Sequence, residues 1–124
     1  MNSPKEEFLR QFNNAFLKND IAFILNSLTN DVHWEMVGDR TFKNKEEVKA
    51  SFEEMNGNEG LTSLDIDTII THGKSAAVSG TMKMKNKDGK ETTYSFCDVY
   101  GFSGFKNPKI KKLTAYIIKT ANTH

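Results

Sequence analysis

One acidic residue stands where it would have chemical consequences. Asp98 lies in the run Thr92 to Phe102, with Phe96 at i−2 and Tyr100 at i+2. In an extended strand alternate residues share a face, so Asp98 joins Tyr94, Phe96, Tyr100 and Phe102 on an aromatic surface. A carboxylate among rings is costly unless it is hydrogen-bonded or protonated, and desolvation raises its pKa. A neutral carboxylic acid can donate a hydrogen bond to a ligand oxygen. The competing reading is a strand-end Asp that accepts bonds from a backbone amide or a lysine and meets no ligand. Trp34 and Met36 also share a face, within Val32 to Val37. They are either plain core or the wall of an apolar pocket, with Met as an adaptable liner and the indole N–H as a donor.

Other motifs carry less. His33-Trp34-Glu35 has the H-x-E spacing of zinc deaminases, but those need a later P-C-x-x-C, and this chain has one cysteine, Cys97. His33 and Glu35 also lack a third metal ligand, so no metal is expected. Gly73-Lys74-Ser75 imitates the end of a phosphate loop. The required first Gly falls on Thr68, and a strand follows where a helix should. Cys97 points away from Asp98 and reads as a small buried apolar group. No Ser/His/Asp or Cys/His arrangement is present for nucleophilic catalysis.

The elements that position these residues follow from periodicity. Ser3-Pro4-Lys5-Glu6 opens a helix with a cap, a proline at the first helical position and a capping-box Glu. Phe8, Leu9, Phe12, Ala15 and Phe16 form its apolar face. Asn19-Asp20 stops it and starts a second helix striped by Ile21, Ile24, Leu25 and Leu28. Val32 to Val37 is a strand, broken by Gly38-Asp39-Arg40. Asn44 caps a third helix, with Glu47 three residues on, a stripe of Val48, Phe52 and Met55, and Asn56-Gly57-Asn58 at its end. Leu64 to Thr71, Ala76 to Lys85, Thr92 to Phe102 and Ile110 to Lys119 read as strands. His72-Gly73-Lys74 and Lys87-Asp88-Gly89 are the turns between the first three, and Ser103 to Pro108 precedes the last. The class is α+β.

Composition sets the outer limits. The chain has 124 residues, is 37% hydrophobic and 27% charged, and fits one globular domain spanning 1–124. With 17 Lys and Arg against 16 Asp and Glu, it has no strong grip on nucleic acid. Lys83 to Lys90 is interrupted by Asn86, Asp88 and Gly89 and reads as a hairpin tip. No signal-like or membrane-spanning apolar run occurs, so neither nucleic acid nor membrane is an expected partner and a cytoplasmic location is expected.

Taken together, the pattern resembles the nuclear transport factor 2-like superfamily, which includes SnoaL-like cyclases and ketosteroid isomerases. The residues that carry the likeness are the Phe8–Phe16 helix, the Asn19-Asp20 break, Asn30 to Gly38 (NDVHWEMVG) and Phe42 to Phe52 (FKNKEEVKASF). The long hairpin and Cys97 to Gly104 (CDVYGFSG) continue it. The resemblance implies three N-terminal helices packed in the concave face of a curved antiparallel sheet. This is a cone-like, cystatin-like roll, often dimeric through its outer sheet face. Ketosteroid isomerase uses an Asp base and an oxyanion hole of a Tyr and a protonated Asp. Carried over, the Tyr position falls on Phe12, the base on Met36 and the protonated Asp on Asp98. With Phe12 and Met36 in place, that mechanism is not expected. The resemblance also places Phe12, Trp34, Met36, Phe52, Met82, Phe96 and Tyr100 around a pocket that contains Asp98.

Three functions fit. The first is binding of a small, mainly apolar molecule in a hydrophobic cone, with no cofactor implied. The second is a SnoaL-like isomerase, cyclase or dehydratase using Asp98 as acid and base. The third is a non-catalytic dimerisation module whose outward face carries Ser79, Thr81, Lys83, Ser95, Cys97 and Val99.

Overall fold

Local capping chemistry sets the helices. Ser3 Oγ accepts from the Glu6 amide at 3.2 Å and Pro4 follows it, which starts α1 (Pro4–Lys18). Asn19 closes α1 in the left-handed conformation, φ 59°. Asp20 then caps α2 (Ile21–Asn26) by accepting from the Phe23 amide. In α3 (Lys45–Glu53) Asn44 accepts from the Glu47 amide, while the Glu47 carboxylate accepts from the Lys43 amide. These features come from a computed structural model, which describes residues 3–54, 60–104 and 106–122. Met55 and the expected Asn56-Gly57-Asn58 cap lie outside the described residues.

The strands are β1 (Leu28–Met36), β2 (Arg40–Phe42), β3 (Gly60–His72), β4 (Ser75–Lys85), β5 (Glu91–Phe102) and β6 (Ile110–Asn122). They form a six-stranded sheet in the order β2-β1-β6-β5-β4-β3. The strand expected from Val32 starts earlier, at Leu28. After the turn containing Gly38, the chain folds back to add the short β2. Consecutive strands from β3 to β6 pair antiparallel, as the two turn signals require. The pair β1–β6 is parallel, so the sheet is mixed. Chain order makes this pairing possible. The long meander ends beside β1 running in the same direction, and β6 fills the slot between β1 and β5.

Bulges between Leu61 and Ser63, Ile66 and Thr68, Thr93 and Tyr94, and Gly101 and Phe102 bend the strands. The helices pack into the concave face. Phe12 of α1 meets Trp34 of β1 at 6.2 Å and Tyr100 of β5 at 6.0 Å between ring centroids. Leu9, Phe12, Ala15 and Ile24 from the helices are buried against Val32, Val78, Tyr100, Ile110 and Leu113 of the sheet. Among the described residues this is a three-helix, six-strand α+β cone. Among the described residues, no helix is long and apolar enough to cross a membrane.

Candidate ligand-binding site

The site is built on the concave face of β5. Alternation turns Phe96, Asp98 and Tyr100 inward. Register does the rest. Asp98 pairs with Val78 on one side and Ala115 on the other; beyond them lie Ile69 and Met36. One row across the sheet therefore reads Met36, Ala115, Asp98, Val78, Ile69. The carboxyl group is the polar member of an otherwise apolar row. Its neighbours on both sides are short, so little side chain crowds it from within the sheet.

Two polar groups support it. The Tyr100 hydroxyl donates to Asp98 Oδ2 at 3.4 Å. Asn13 Nδ2 donates to the same hydroxyl oxygen at 3.2 Å and to the Leu9 carbonyl at 2.8 Å. The Leu9 carbonyl can only accept, which fixes the Asn13 amide with its nitrogen toward Tyr100. With that nitrogen donating into the hydroxyl, the single phenolic proton is directed at Asp98. Oδ2 is thus an acceptor, and when Asp98 is neutral its own proton sits on the other oxygen.

Electrostatics follow from burial. Removal from water raises the Asp98 carboxyl from its ordinary 3.8 to about 7, and the bond from Tyr100 works in the opposite direction by stabilising the anion. Burial also pushes the Tyr100 phenol well above its ordinary 10, and the Asp98 charge adds to this. Tyr100 therefore stays protonated at neutral pH. Asp98 is divided between acid and carboxylate, the condition in which one group can both give and take a proton near pH 7.

The seven other candidate residues all sit on the inner side, at different depths. Phe12, Trp34, Phe96 and Tyr100 are buried, and Met36, Phe52 and Met82 are half-buried against the core. Phe12, Phe16 and Trp34 form a connected ring cluster with centroids 5.4 to 6.2 Å apart, and Phe16 reaches Phe52 at 6.1 Å. Rings thus fill the inner wall, and Met36, Phe52, Met82 and Asp98 are partly buried. Asn13 was not among the candidates. Its signal was present in the sequence: a polar residue next to Phe12 and four after Leu9, on the apolar face of α1.

The motifs set aside stay apart from this site. His33 is exposed, and Cys97 is a free thiol facing outward opposite Ser79 and Tyr116. Gly73 and Lys74 form the β3–β4 turn, Gly73 at φ 58°, and a strand follows. Among the described residues no group of three His, Cys, Asp or Glu side chains is gathered as a metal site would need. A separate open groove of about 300 Å³ lies between the helices and the turn before β6, lined by Phe8, Phe23, Pro108 and Lys109 among others; it contains none of the candidate residues.

Comparisons agree with this architecture. An NTF2-like protein of unknown function from Cytophaga hutchinsonii superposes with a TM-score of 0.67 at 23% identity, over 91% of this chain and 98% of that one. An LEH-like epoxide hydrolase from M. tuberculosis gives 0.76 at 18%, over 90% and 80%. SalBIII, an epoxide hydrolase/cyclase-like enzyme with a role in pyran ring formation in the polyether salinomycin, gives 0.77 at 17%, over 93% and 95%. At these identities the likeness is one of fold. No curated protein matches the sequence. The SnoaL-like domain profile matches residues 9–112, most of the chain, and with the helix-filled cone in place the protein belongs to the SnoaL-like domain family.

Proposed function

We propose that the protein binds a small, mainly apolar molecule inside the cone, with Asp98 as the polar contact. The observation that carries this reading is the placement of Asp98. It is a half-buried carboxyl in an apolar row, held on one oxygen by Tyr100, with its other oxygen left for a guest. Sites of this kind are mostly apolar with a few placed polar groups. The test is a thermal-shift screen of neutral apolar ketones, alcohols and ethers near their solubility limits. A ligand present at 100 times its Kd adds about 2.7 kcal/mol and raises the Tm visibly. A panel that leaves the Tm unmoved overturns the reading.

Catalysis is the second reading. It is favoured by the ionisation of Asp98 near neutrality and by two fold relatives that are epoxide hydrolase- or cyclase-like. Asp98 would serve as acid and base of an isomerase, cyclase or dehydratase. By the resemblance, Phe12 and Met36 take the places of the ketosteroid isomerase donor and base. The hydroxyl beside Asp98 comes instead from Tyr100 on the same strand. An Asp98→Asn variant that keeps full turnover on a substrate once found would eliminate the proton-transfer role.

A homodimer through the outer sheet face is part of the same proposal. Register sets Ser79 opposite Cys97 and Thr81 opposite Ser95, an uncharged centre of small residues. Around it Ile70, Val99, Tyr116 and Ile118 are exposed. Contiguous exposed apolar surface of this kind marks association.

A further inference from the structure

We infer that Asn13 is a positioning residue for Asp98: acting through the Tyr100 hydroxyl, it maintains a hydrogen bond on one carboxyl oxygen and so governs when Asp98 carries its proton. The inference rests on Asp98 as the polar group of the proposed site and adds the residue that regulates it. Among the described residues the buried polar side chains are Asn13 and Ser27. Ser27 turns back onto its own helix and donates to the Phe23 carbonyl at 2.7 Å. Asn13 reaches further. A primary amide has two N–H donors. One goes to the Leu9 carbonyl a turn back at 2.8 Å, and the other crosses to β5 and meets the Tyr100 hydroxyl oxygen at 3.2 Å. Packing alone does not call for an amide here. Leu9 and Phe12 on the same helix are buried and apolar, and an amide costs more to bury than a hydrocarbon unless its bonds are made.

The order of donors gives this chain of bonds a direction. With Asn13 donating into the phenol oxygen, the phenolic proton is left for Asp98 Oδ2, 3.4 Å away. Hydrogen bonds linked in series polarise one another, so a phenol that accepts from Asn13 is the stronger donor to a carboxylate. Burial raises the Tyr100 phenol, and the bond from Asn13 works against that rise, which is the same polarisation seen from the phenol. A bond donated to a carboxylate favours its charged form. Asn13 therefore favours the ionised Asp98 across two hydrogen bonds. Little else on the page competes with it. β4 presents Val78 beside Asp98, β6 presents Ala115, and α1 presents Asn13 by way of Tyr100. Among the described residues Tyr100 is the titratable side chain that acts on the Asp98 carboxyl.

The titration of Asp98 is read from its carboxyl carbon-13 signal, identified by its loss in Asp98→Asn. Asn13→Leu should raise the midpoint by at least about 0.2 pH units, the share of a bond to a charged group that polarisation adds, and by less than Tyr100→Phe does. In the Tyr100→Phe background the same substitution should leave the midpoint where it is, because the link is already cut. A change at position 13 that moves the midpoint equally in both backgrounds reports packing or water entry and overturns the inference; one that moves it in neither does the same. The wild type offers a readout that needs no variant at position 13. The side-chain amide nitrogen of Asn13 should titrate with the Asp98 midpoint and lose that response in Tyr100→Phe, and an amide that does not respond overturns the relay. Either negative result with a wild-type midpoint well above 3.8 refutes the role of Asn13 and leaves the desolvated carboxyl standing. A wild-type midpoint near 3.8 overturns both.

Discussion

Replacing Asp98 with Asn tests the physical basis of the site without any ligand. Asn has the shape of the neutral acid and keeps a carbonyl oxygen for the Tyr100 hydroxyl. In the wild type, the folded carboxyl titrates at about 7 against an ordinary 3.8. Below about pH 3.8 both states hold the proton and the group contributes no difference. As the pH rises, the unfolded chain releases its proton first, and stability falls until the folded group also ionises near pH 7. The shift of about three pK units corresponds to roughly 4 kcal/mol, with a slope of at most about 1.4 kcal/mol per pH unit. The partial exposure of Asp98 makes this a ceiling. Asp98→Asn escapes the loss. It should differ from the wild type by less than about 1 kcal/mol at pH 4 and exceed it by up to about 4 kcal/mol at pH 8. Urea unfolding followed by the fluorescence of Trp34 at both pH values measures the difference, and the other carboxylates cancel between the two proteins. Equal stability at pH 8, or a wild type that is the more stable there, would show that the carboxyl is not desolvated as described.

Three further perturbations address the framework. Tyr100→Phe removes the one bond that lowers the Asp98 pKa, so the carboxyl should titrate above 7, as read from its carbon-13 shift; an unchanged or lower midpoint contradicts the relay. Gly80→Ala would place a Cβ 2.1 Å from the Asp65 carbonyl oxygen, a backbone atom held at the β3 bulge. It should cost about 2 kcal/mol or more in chemical denaturation, in the range of overpacked cores; a neutral effect would place the bulge elsewhere. Ile118→Glu changes a side chain that is 66% exposed, so folding stability should move by less than about 0.5 kcal/mol. Light scattering should then show a dimeric wild type and a monomeric variant; a monomeric wild type at high concentration ends the dimer proposal.

The placement of the candidate residues was largely legible in the chain because its determinants are local. Two-residue alternation alone puts Asp98 on the face of Phe96 and Tyr100, whatever the strand packs against. The caps at Ser3, Asp20 and Asn44 act within three residues, and the Gly89 turn is likewise short-range. Contacts between distant segments were not legible. The bond from Asn13 to Tyr100 spans 87 positions, and nothing in the short polar spacing of α1 names its partner. The parallel pairing of β1 with β6 and the approach of Gly80 to the Asp65 carbonyl depend on how the sheet closes over the helices. Periodicity is a property of neighbouring residues and assigns faces. Desolvation and hydrogen-bond pairing depend on everything that surrounds an atom. For this protein the primary structure therefore determined which side chains face inward, and the folded cone decided which of them lost water and which kept a partner.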